Sequence, residues 1–143
     1  MGKESLARAL ASVMAAGSVT GVDLADAREA HRAVVALWDA PAGHLLCERM
    51  RITVRVAPDP DVGLRVEGLT QALWSAVTFR YLRPVDGSSI LALTDLARET
   101  ADSMLKELSG EEKSALTSVG HAWACRSTLR NRPLSEFESS LGM

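Results

Sequence analysis

No hydrophobic run in this sequence is long enough to cross a bilayer. The longest uncharged stretch, Ala9 to Val22, carries two glycines and stops short of a span. Cysteine is scarce too: Cys47 and Cys125 are too few for the disulfide framework of a small secreted domain and fit reduced thiols in a cytoplasmic protein. Net charge is close to balance at −2, so whole-molecule charge makes no case for nucleic acid or an acidic membrane. Lysine is rare, and arginine supplies 13 of the 16 basic residues, a usage that a GC-rich bacterial or phage genome would also produce. No nucleophile elbow, phosphate-cradling glycine loop or dinucleotide fingerprint occurs. The start does not fit a secretory leader, because Glu4 sits in the n-region, and Leu6 stands where a myristoylation signal needs Ser or Thr.

What remains is ordinary globular chemistry: 143 residues, 47% hydrophobic, 24% charged and 4% aromatic. That length suits one domain over residues 1–143 with a core of its own. Leu6, Leu10, Val13 and Met14 recur at helical spacing, and Gly17 to Gly21 ends that helix. From Asp23 to Trp38 a second stripe joins Leu24, Ala27, His31, Val34, Val35 and Trp38, with Asp26, Glu29 and Arg32 away from it. Residues 44–57 read two ways, as a helix or as a strand in which Ile52, Val54 and Val56 alternate with Arg51, Thr53 and Arg55. Pro60 to Leu82 reads as a helix, with Asp59 as its cap and Pro60 in its first turn.

The clearest local signal lies in Ser88 to Pro133, which reads as an acidic helix ending near Leu108 followed by a basic one. Between them, Ser109-Gly110-Glu111-Glu112 fits a capping box. The expected fold is all-α, a compact bundle of five to six helices packed around this helical pair. The alternative is α+β with one small β-hairpin near residues 51–66.

Three constellations bear on function. Arg126, Arg130 and Arg132 follow an acidic helix with a basic one, and Arg49, Arg51 and Arg55 form a second basic set; both could meet phosphates or an acidic partner. His44 with Cys47, and His121 with Cys125, would place four zinc ligands on two helix faces, although no finger spacing is present. Asp26 with Glu29, and Glu99 with Asp102, have the i,i+3 spacing of magnesium-binding acids in helical nucleotide hydrolases, yet both pairs fall on solvent faces. A histidine on an apolar stripe, such as His31, is ordinarily a hydrogen-bonded core residue. Trp38, Trp74 and Trp123 offer large apolar surface for core or contacts.

The expected function is therefore a non-catalytic helical interaction or assembly subunit, without a cofactor. It would bind a protein partner or itself, with nucleic-acid phosphates as a further contact and no membrane. In size, helix content and arginine faces it resembles the small helical subunits of ribonucleoprotein complexes, with no shared motif. The alternatives are a zinc-stabilised helical protein and a helical-bundle magnesium-dependent nucleotide hydrolase.

Overall fold

The computed structural model describes residues 2–60 and 63–130. Six helices and two small antiparallel sheets follow in the order α1 (Gly2–Ala16), β1 (Gly21–Asp23), α2 (Arg28–Asp39), α3 (Pro41–Arg49), β2 (Val56–Asp59), β3 (Gly63–Val66), α4 (Leu69–Thr78), β4 (Leu82–Pro84), β5 (Ile90–Leu93), α5 (Asp95–Glu107) and α6 (Gly110–Arg130). The chain is thus mixed α+β, which overturns the all-α expectation. The hairpin near residues 51–66 is present as β2–β3, pairing Val56 with Val66 and Asp59 with Gly63. Asp59 and Pro60 therefore sit at the end of a strand and its turn, and the following helix starts only at Leu69.

The other sheet runs β1-β5-β4. It takes Ile90 to Leu93 out of the helix expected to start at Ser88. These four residues alternate instead of following a helical stripe: Val22, Leu82, Leu91 and Leu93 share one face and are all buried. Asp86-Gly87, with Gly87 at φ 74°, turns β4 into β5. The cap that starts α5 is Thr94, whose hydroxyl accepts the Ala97 N–H at 3.1 Å.

Helix α1 is the hub. Ala7, Ala9, Leu10, Ala11, Val13 and Met14 are all nearly inaccessible, as befits a helix surrounded by others. It packs on α4, α5 and α6. Helix α5 packs chiefly on α1, whereas α6 divides its packing between α1 and α2, with α3 beside them. The absence of side chains permits a close crossing where Gly17, just past α1, lies against the backbone of Gly120 in α6.

Three helices end in the same way. Ser18, Arg51 and Arg80 adopt left-handed φ values of 59°, 60° and 66° after α1, α3 and α4. The next residue then donates its N–H to the carbonyl five back: Val19 to Met14, Ile52 to Cys47 and Tyr81 to Ala76, each at 2.8 Å. This is the Schellman arrangement, in which an apolar residue beyond the turn tucks under the last helical turn. Glycine usually fills the left-handed position, because any side chain there crowds the following carbonyl. Arg80→Gly is accordingly expected to raise stability by about 0.5 kcal/mol, the relief of left-handed strain exceeding the entropy gained by the unfolded chain. A higher urea midpoint at unchanged m-value would show it.

Candidate functional site

The expected phosphate-contacting arginines are divided among different tasks. Arg126, on the α6 face toward α2, is ion-paired through Nε with Glu29. Glu29 is only 5% exposed and also receives Arg32 Nη1 at 3.1 Å. The acid assigned to a solvent face is therefore sequestered, and the arginine that joins it closes α6 onto α2. Arg49 does the same for Glu112, at 2.8 Å, joining α3 to α6.

Glu112 and Ser109 form the capping box in full. The Ser109 N–H donates to Glu112 Oε1 at 3.1 Å, and the Glu112 N–H donates to the Ser109 hydroxyl at 3.2 Å. Burial opposes ionisation of Glu112, but the hydrogen bonds from Ser109 and the charge of Arg49 outweigh it and hold the carboxyl below its usual range.

Arg51 occupies the left-handed position after α3, and both it and Arg55 are exposed. Arg130 closes α6, and Arg132 lies outside the described residues.

The histidine and cysteine pairs do not gather into a site. Cys47 is buried in the apolar core beside Leu6, Leu10, Leu37 and Ile52, and burial pushes its thiol up to about 11. His44 stacks near Trp38, with ring centroids 4.2 Å apart, and its nitrogens meet the Trp38 carbonyl at 3.0 Å and Glu48 at 3.1 Å. His121 and Cys125 are exposed on α6. Among the described residues, no group of three or more His, Cys, Asp or Glu is placed to hold a metal ion. Of the acid pairs, Glu99 and Asp102 point outward from α5, while Asp26 precedes α2 and Glu29 is engaged as described.

His31 does take the hydrogen-bonded core position that its stripe suggested. The Val66 N–H donates to its Nδ1 at 3.0 Å, tying α2 to β3. An acceptor there makes the ring neutral with its proton on Nε2. Burial lowers its pKa, with Arg65 adding to the effect and Asp59 opposing it. His31 also lines an open cleft of about 410 Å³ formed with Arg65 to Gln71. Sequence reasoning overlooked this cleft, whose wall is the segment it assigned to helix.

The tryptophans separate cleanly. Trp123 is 2% exposed in the core, Trp38 is half-buried against His44, and Trp74 on α4 is 48% exposed. Phe79, at the C-terminal end of α4, is 40% exposed, with its ring centroid 6.3 Å from that of Tyr81. These side chains leave large apolar surface in water near α4.

Among the described residues, no helix is long and apolar enough to cross a membrane. No protein-family model matches this chain, and no characterised protein or solved structure matches it significantly.

Proposed function

We propose that this chain is a non-catalytic, helix-rich interaction subunit that docks a protein partner, or a second copy of itself, through the surface of α4. The observation that carries this reading is the exposure of Trp74, whose indole offers a large apolar contact at low entropic cost. Phe79, at the C-terminal end of the same helix, is exposed as well. A phosphate-contacting role has weaker support, because Arg126 and Arg49 are engaged with buried carboxylates. Such a role would fall to the exposed Arg51 and Arg55, with Arg65 exposed on β3. The free cysteines suit a reducing cytoplasm.

The test is isolation from the native host at low salt, followed by mass determination and absorbance at 260 and 280 nm. The expected result is an assembly larger than one chain and free of nucleic acid, which Trp74→Glu reduces to the single chain at least tenfold more readily. A single-chain mass for both proteins would overturn the reading. Nucleic acid retained by both, and released by Arg51→Glu with Arg55→Glu, would replace it with the phosphate-contacting role.

A further inference from the structure

The β2–β3 hairpin is attached to the helical body at one buried point. Of its strand residues only Val66 is buried, whereas Val56 and Leu64 are 39% and 47% exposed. Helix α2 is the main partner of β3 in the helical body, and His31 supplies the polar link. His31 is 9% exposed, and its Nδ1 can accept the Val66 N–H only while that nitrogen carries no proton.

We propose that His31 is an acid-sensitive latch, whose protonation breaks the bond to Val66 and frees the β2–β3 hairpin from α2, widening the cleft beside α4. An imidazolium would turn a donor toward the Val66 N–H and leave both groups without an acceptor in a buried place. A two-stranded hairpin is marginal without such support, so its release needs no wider unfolding.

Charged groups around the ring set the response. Asp59 on β2 favours the imidazolium, Arg65 on β3 disfavours it, and Glu67 borders the same cleft. On α2 itself, Glu29 and Arg32 pair with each other, and Arg126 of α6 is held on Glu29. Burial outweighs Asp59, so the latched ring takes up its proton below the ordinary value of 6.5. The released ring therefore binds protons more tightly. The latch holds fully above that value and weakens as pH falls through the lower pKa of the latched ring.

Amide hydrogen exchange followed by NMR from pH 7.5 to pH 5, corrected for intrinsic rates, reads the latch directly. Opening at Val66 is expected to rise by about tenfold, the loss of one buried hydrogen bond, while the Leu10 and Leu116 amides hold constant. Asp59→Asn, which lowers the pKa of the latched ring further, is expected to leave the onset near 6.5 and to enlarge the rise in opening reached at pH 5. His31→Asn, which keeps an acceptor near the Nδ1 position but does not titrate, is expected to abolish the pH dependence. Protection at Val66 that ignores pH in the natural protein would overturn the proposal. So would an Asp59→Asn variant whose opening at pH 5 rises no more than in the natural protein, a result that does not depend on the His31 variant folding.

Discussion

Gly120→Ala is expected to destabilise the protein by about 3 kcal/mol, lowering Tm by roughly 10 °C. Helix propensity alone argues the other way, since alanine in a helix interior is worth about 1 kcal/mol over glycine. The packing reverses the sign. A Cβ at Gly120 would press into the Val13 carbonyl oxygen and lie 2.7 Å from the Gly17 nitrogen. Both are backbone atoms of α1 and its terminal turn, so no side chain can swing aside. Relief requires α6 to move off the hub helix, taking the buried Leu116 and Trp123 with it. Thermal and urea unfolding of the variant check this, and Gly110→Ala serves as a control because nothing would meet its Cβ within 4 Å.

Arg126→Glu is expected to cost about 3 kcal/mol or more, although the arginine side chain is itself 37% exposed. The cost arises at its partner. Glu29 is buried, and the substitution replaces a neighbouring guanidinium with a second carboxylate. Arg32 remains on Glu29 and limits the loss. Arg55→Glu, on exposed backbone, is expected to change stability by no more than about 0.5 kcal/mol. The contrast bears on function: a binding defect caused by charge reversal at Arg126 would follow from loosening of α2 against α6. Urea unfolding of both variants, before any binding assay, separates the two causes.

Local chemistry made several parts of this fold readable from sequence. The Ser109–Glu112 box spans four residues and closes as its residue types dictate. Residues 44–57 divide between the two readings: α3 runs to Arg49, after which Ile52 and Val54 are buried and Thr53 and Arg55 exposed, but Val56, the third apolar position of that alternation, is exposed. Ile90 to Leu93 form β5 inside the stretch that reads as helix from Ser88. With only four residues, that strand is too short for periodicity to decide between helix and sheet.

Long-range pairing left no trace in sequence. Glu29 and Arg126 lie 97 residues apart, and nothing local says that a charged side chain off the apolar stripe will be buried by its partner. The central place of α1 was hidden for a related reason. Its alanines look neutral in a hydropathy pattern, yet they let α4, α5 and α6 approach closely. The cleft by His31 needs both the β2–β3 turn and the late start of α4, and the helix reading of residues 60–82 removed both.

Oxidative footprinting of the natively isolated protein against the purified single chain, with Trp74 and Phe79 followed by mass spectrometry, tests the proposed docking surface most directly. Strong protection of both rings is expected in the natively isolated protein and full reactivity in the single chain. Equal oxidation of Trp74 in the two samples would contradict it.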